Sequence, residues 1–334
     1  MTSPQPLTDL MWAHWKTRTL LAGIELGLFA ELAKGPLSAP EVRDRLDLHP
    51  RPLTDFLDAL VALGLLRRHR DRYGCGPEAA EYLDPGRPET YLGDSFVTQC
   101  AGMADDLTAV LRTGEALRGA RDGRDFYAAV YHDASSVRAF QRDMTALSMG
   151  SARAIAEKFP WHEHRSLVDV GCAEGALAAR VLLRHPHLTA VGFDLPAARA
   201  GFELYTSRLG VADRTRFAAG DFFEDDLPSA DVLVFGHILH NWSEPRRVEL
   251  LRKAHAALPP GGRVLVYETL IDDERRRNAV GMILSLIMHV EVPGGSDYTG
   301  AECEAWLRQA GFDKIHVEHL DGPESMVVGV KSAT

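Results

Sequence analysis

From residue 166 onward, short apolar runs alternate with stretches of helical period. The runs Ser166–Val170, Ala190–Asp194, Arg216–Ala219, Val232–Phe235 and Arg263–Glu268 predict strands separated by helices. A helix over Ala301–Ala310, stopped by Gly311, precedes two more strands at Ile315–Glu318 and Met326–Val330. Strand and helix in alternation predict an α/β domain with a parallel, doubly wound sheet. The first third has a different rhythm. Leu10, Trp12, Leu20, Leu21, Ile24, Leu28, Phe29 and Leu32 fit one helix over residues 10–33. Ser38, Pro40 and Glu41 have the spacing of a capping box and open a short helix to Leu46. A further helix, Pro52 to Leu63, is stopped by Gly64, and Leu65 to Gly74 reads as two short strands around a polar turn. Three helices and a ribbon make a winged-helix-like pattern. Residues 77–165 read as helical linker and cover, with Phe126, Tyr127, Phe140, Met144 and Met149 as bulky apolar side chains. The expected division is 1–95, 96–160 and 161–334.

The 334 residues suffice for two cores, and the 46% apolar and 25% charged content is that of a globular chain. A formal net charge of −10 argues against a general nucleic-acid or acidic-membrane binder. The helix in the recognition position carries Asp55 and Asp58 and no Lys or Arg, the wrong charge for a major groove, so the module is read as packing or dimerisation. No apolar run is long enough for a membrane helix, and the N-terminus lacks a basic segment followed by an apolar one. Cys75, Cys100, Cys172 and Cys303 are widely spaced, as expected of reduced thiols in a cytoplasmic protein. No metal is expected, because no His, Asp or Glu cluster has clear ligand spacing.

The chemistry begins where the first strand of the α/β part enters a tight turn, Asp169-Val170-Gly171-Cys172-Ala173-Glu174-Gly175. Asp194 closes the next strand, followed by Leu195. This is how an open sheet holds a nucleoside, with bare backbone at the turn and a carboxylate for the ribose hydroxyls. There is no Gly-Lys-Ser/Thr, Ala173 interrupts the dinucleotide pattern, and Glu174 is an awkward neighbour for a pyrophosphate. A ligand without phosphate, bearing an amino acid and a cation, suits these acids; S-adenosylmethionine is such a ligand. Gly220-Asp221-Phe222 after the third strand offers a carboxylate for the adenine amino group and an apolar contact with the base.

After the fourth strand comes Gly236-His237-Ile238-Leu239-His240-Asn241-Trp242-Ser243-Glu244. With Pro259-Pro260-Gly261-Gly262 and Val292-Pro293-Gly294-Gly295, this chain resembles, over nearly its whole length, the small-molecule O-methyltransferases of the caffeate and acetylserotonin type. The resemblance implies a Rossmann-like methyltransferase domain after a winged-helix-like dimerisation domain, hence a homodimer. It implies S-adenosylmethionine as donor and a small aromatic, phenolic acceptor. It also implies His240 as general base, held by Glu268 at the end of the fifth strand and by Asp297. A phenol with a pKa of about 10 is mostly neutral at pH 7, so a positioned imidazole is an apt base. This chain departs from the family at Gly236, where a Lys is common, at Asn241 for Asp, at Val292 for Asn, and at Asp297, one methylene shorter than the usual acid. Phe126, Met144, His237, Asn241, Trp242, Met282, Met288 and His289 are candidate acceptor contacts, with Trp12 a further pocket-shaping residue. Deprotonating a phenol also activates its ortho carbon, so C-methylation of a hydroxylated ring or aromatic amino acid is the alternative. A cofactor-binding protein without methyl transfer is the third.

Overall fold

The computed structural model describes residues 5–88, 90–100, 107–116, 127 and 130–332. They form two compact units, which meet in the chain between Gly102 and Met103.

The first unit contains α1 (Gln5–Glu25), α2 (Leu28–Ala33), β1 (Leu37–Ser38), α3 (Ala39–Leu46), α4 (Pro50–Ala62), β2 (Leu66–His69), β3 (Arg72–Cys75), α5 (Pro77–Tyr82) and α6 (Gly93–Cys100). The single helix expected over residues 10–33 is two. Gly27 stands between them at φ 71°, a left-handed conformation that glycine adopts without strain. Leu10 and Trp12, counted in the apolar period of that helix, are 72% and 53% exposed. The capping box forms: the Ser38 hydroxyl accepts the Glu41 amide N–H, and the Glu41 carboxylate accepts the Ser38 N–H at 2.7 Å. The ribbon also forms, joined by β1 into an antiparallel sheet ordered β1-β3-β2. Asp58 of α4 accepts hydrogen bonds from Tyr73 and Arg68, so this acid ties the helix to the wing.

The second unit opens with α7 (Leu107–Thr113) and α8 (Ala134–Lys158). The Asp133 carboxylate caps α8, accepting the N–H groups of Ser135 and Ser136. The sheet follows as β4 (Ser166–Val170), β5 (Thr189–Asp194), β6 (Thr215–Ala219), β7 (Val232–Gly236), β8 (Arg263–Glu268), β9 (Asp313–His319) and β10 (Ser325–Val330). Its helices include α9 (Ala176–Arg184), α10 (Arg199–Arg208), α11 (Glu244–Ala257), α12 (Ala279–Glu291) and α13 (Gly300–Ala310). The spatial order is β6-β5-β4-β7-β8-β10-β9. β4 to β8 pair in parallel, and their central residues are almost all buried, as in a sheet covered on both faces. β10 runs antiparallel to both β8 and β9, so the sheet is mostly parallel with an antiparallel hairpin at one edge. The loop from β9 to β10 is too short for the crossover that a parallel pair needs. The winding reverses beside β4, between β5 and β7, so the carboxyl ends of β4, β5, β7 and β8 share one rim. Open α/β sheets bind their ligands at such a switch point.

Candidate active site

Bare backbone marks the β4 end of this rim. Gly171 has φ 72° and Gly175 φ 82°, and Gly175 leads directly into α9. A Cβ on Gly171 would stand 2.3 Å from Ile238 Cδ1, so only glycine fits. Two buried acids face the turn. Asp194 Oδ2 accepts the Ala173 N–H at 2.8 Å, and Asp194 Oδ1 accepts the Leu195 N–H at 2.7 Å. Each of its oxygens therefore keeps a lone pair for a ligand hydroxyl. Burial pushes the Asp194 carboxyl up to about 6, against those two N–H bonds. Burial, with the Asp194 charge added, pushes Asp169 up to about 7. Glu174 is half-buried within the turn. After β6, the Gly220 N–H donates to the Asp194 carbonyl at 3.0 Å. Asp221 caps its own turn through the Phe223 N–H, and the Phe222 ring packs edge-on to Phe223 and Trp242. A bare turn, a paired diol acceptor and an aromatic wall suit an adenosine bearing a polar tail.

The second half of the rim carries the imidazoles. His237 leaves β7 at φ 53°, and a short 3-10 turn, Leu239–Asn241, buries His240. Glu268 ends β8, 1% exposed. Its Oε1 accepts the N–H groups of Leu239 at 3.0 Å and His240 at 3.4 Å, so it fixes the turn itself. His240 Nδ1 lies 3.5 Å from Glu268 Oε2 and 3.2 Å from Asp297 Oδ1. Both contacts use Nδ1, which leaves Nε2 to work on a substrate. Burial disfavours the charged imidazole, but Glu268 and then Asp297 outweigh it and the pKa of His240 is pushed up to about 9. The three residues expected to act together are thus brought together from β7, β8 and the loop before α13. Asn241 spends its amide on the carbonyls of His237 and Ile238 and so braces the turn. Trp242 is buried among Phe222, Phe223 and Tyr127, stacked on Tyr127 with ring centroids 6.1 Å apart.

Three residues belong to this site that the sequence reading did not mark. Arg247 of α11 is 3% exposed. Its Nε donates to the carbonyls of Leu239 and Trp242, and its Nη2 to the carbonyl and hydroxyl of Ser296. It therefore staples the His240 turn to the loop that carries Asp297. Glu324, between β9 and β10, bonds the Thr269 hydroxyl and places Oε2 3.5 Å from His237 Nε2. Tyr127, read from the sequence as core packing or, with its bulky neighbours, as one wall of a pocket for a flat ligand, has its hydroxyl pKa raised by burial and then by the charges of Asp194 and Glu268, one from each half of the rim. No sequence signal marks Arg247 or Glu324, since such residues are ordinarily solvated. Aromatic Tyr127 beside Phe126 was a faint one.

The remaining acceptor candidates scatter. Met144 and Met282 are half-buried, Met288 is buried, and Phe126 lies outside the described residues. His289 lines a cavity of about 600 Å³ with Leu107, Val110, Leu286, Val292 and Pro293. The Val292–Gly295 segment runs on to Ser296, whose N–H donates to the His240 carbonyl at 2.8 Å.

Residues 106–313 match the O-methyltransferase domain family, and residues 8–84 match the O-methyltransferase dimerisation domain. The tetracenomycin polyketide synthesis 8-O-methyl transferase TcmO of Streptomyces glaucescens is 40% identical over 98% of this chain and 97% of that protein. The N,N-dimethyltransferase OxyT of Streptomyces rimosus is 38% identical over 97% of this chain and 96% of its own length. Among solved structures, human N-acetylserotonin methyltransferase in complex with SAM superposes with a TM-score of 0.88 over 98% of this chain and 97% of that one; at 24% identity it speaks for the fold alone. The mitomycin 7-O-methyltransferase MmcR, 28% identical over 98% of this chain and 97% of its own, superposes with a TM-score of 0.79. The chain belongs to the O-methyltransferase family and is an S-adenosylmethionine-dependent methyltransferase.

Proposed function

We propose that this enzyme methylates a phenolic oxygen of a small aromatic metabolite, with His240 as the general base. The observation that carries this is the approach of both Glu268 and Asp297 to one nitrogen of a buried imidazole. S-adenosylmethionine supplies, when bound, a methyl group already activated by its sulfonium. What the chain must add is orientation and removal of one proton. Glu268 and Asp297 fix the ring and stabilise its protonated form, so the imidazole that has lost its own proton is a stronger base than a free one, and that active fraction grows as the pH rises toward about 9. Asp169, Gly171, Glu174, Gly175, Asp194, Leu195, Gly220, Asp221 and Phe222 hold the cofactor in this reading, with Asp194 on the ribose hydroxyls. Of the acceptor candidates, His237, Met144, Met282, Met288 and His289 are retained, whereas Asn241 and Trp242 act through the turn and the aromatic wall. TcmO, by name an 8-O-methyl transferase of polyketide synthesis, supports oxygen as the receiving atom. The dimerisation module supports a homodimer, and four free cysteines agree with a cytoplasmic setting. No described helix is long and apolar enough to cross a membrane.

Substitution His240→Gln tests the base. Transfer of labelled methyl to a phenolic acceptor should fall by about 10²–10⁴-fold, with affinity for S-adenosylhomocysteine retained. Undiminished transfer contradicts the assignment.

A further inference from the structure

Both imidazoles of the His237–His240 turn face the same carboxylate oxygen. His237 Nδ1 lies 3.8 Å and His240 Nδ1 3.5 Å from Glu268 Oε2. One ligand atom from each of the three residues lies within 4.8 Å of the others. Glu268 is 1% exposed, and its Oε2 has no hydrogen-bond partner among the described residues. A buried carboxylate oxygen thus points into a gap walled by two ring nitrogens. Neighbouring ligands around a tetrahedral ion with bonds of about 2.0–2.1 Å stand about 3.3 Å apart, so the two contacts to Glu268 Oε2 need little change, the widest separation must close by up to about 1.5 Å, and His240 Nδ1 must exchange its 3.2 Å contact with Asp297 for the ion. A second carboxylate completes the pattern. Glu324 Oε2 lies 3.5 Å from the far nitrogen of His237, and its other oxygen bonds the Thr269 hydroxyl. At that distance no hydrogen bond is made, and a small approach would let Glu324 accept the outer N–H, which is how metal-ligating imidazoles are oriented.

We infer that His237, His240 and Glu268 form an inhibitory site for a transition-metal dication of the zinc class, with Glu324 orienting His237. Two imidazoles and one carboxylate suit zinc or cobalt and not calcium or magnesium, which prefer oxygen alone. The inhibition follows from imidazole chemistry. When a metal takes the Nδ1 lone pair, the remaining ring proton sits on Nε2. That nitrogen then has no lone pair with which to receive the acceptor's proton. The inhibition rests on His240 being the base; the metal site itself does not.

The test is a titration of the chelator-stripped full chain with Co²⁺, without cofactor or acceptor. One cobalt per chain is expected, with the visible bands of a low-coordinate ion, displaced by an equivalent of Zn²⁺. His237→Asn tolerates the left-handed backbone and should abolish the bands while circular dichroism stays unchanged. Glu324→Gln should weaken zinc binding by about 10–100-fold. No bands in the wild type overturns the site. So do bands that persist in His237→Asn, which would place the ion elsewhere, for example on His185 and His187, whose rings lie 6.1 Å apart. Zinc should also inhibit methyl transfer over the concentration range in which it displaces cobalt; full activity with the site saturated overturns the inhibitory role. If His240→Gln keeps full methyl transfer, the base reading fails while the cobalt titration still decides the site.

Discussion

Asp194 shows how one side chain couples burial to binding. Its raised pKa of about 6 means that burial makes the ionised carboxylate costly. The sign is that of an acid shifted upward: the proton stays on in the folded chain at pH values where the unfolded chain has lost it. A ribose diol donates to the carboxylate, so binding opposes protonation. Affinity for S-adenosylhomocysteine should therefore level off above pH about 6 and fall by up to about tenfold per unit below it, measured by calorimetry. In Asp194→Ala that limb should disappear together with most of the affinity. Asp194, Asp169, His240 and Glu268 were legible in the sequence because they end strands or sit in a motif beside them. Arg247 and Glu324 were not, because an arginine on an amphipathic helix and a glutamate in a hairpin loop carry no mark of burial. Burial of either depends on which strands become neighbours, and strand order is not written in any local pattern.

At the scale of elements, the site is a set of loops held at strand ends by side chains of neighbouring elements. Arg247 is the clearest case. Removing its guanidinium leaves the carbonyls of Leu239, Trp242 and Ser296 without that donor. Arg247→Met should lower stability in urea by about 2–4 kcal/mol, since several buried acceptors lose their partner at once. Arg247→Lys should keep the charge but lose the fork, lowering kcat more than cofactor affinity. The β4 turn gives a second case. Gly171→Ala sets a methyl against Ile238 at positive φ. It should weaken S-adenosylhomocysteine binding more than it weakens the fold, read by calorimetry beside thermal unfolding. The glycines of this turn were readable in advance because their spacing implies backbone close to a ligand. The break at Gly27 was not, because the apolar period runs on through it, and the left-handed φ of one residue decides where the helix ends.

At the scale of the molecule, the antiparallel β9–β10 hairpin extends the sheet beyond β8 and brings Glu324 to the imidazoles. The alternation of strand and helix marks the parallel part of the sheet and gives no sign of this hairpin's direction. The first unit leaves Leu7, Leu10, Met11, Trp12 and Trp15 of α1 exposed, with Trp15 at 63%. Apolar side chains in such a group ask for a partner, and the dimerisation family supplies the expectation of a second copy. Light scattering should give twice the 36.7 kDa chain mass, and Leu10→Asp with Trp15→Asp should give the single chain. In the proposed reaction, residues, elements and fold together hold one imidazole, that of His240, beside a methyl donor. The most direct measurement follows labelled methyl from S-adenosylmethionine into a panel of phenols, for the wild type and His240→Gln in parallel. NMR of the product then locates the methyl. The account requires methyl on a phenolic oxygen in the wild type and transfer lowered by about 10²–10⁴-fold in the variant at equal cofactor affinity. Methyl on carbon, or a variant as fast as the wild type, would contradict it.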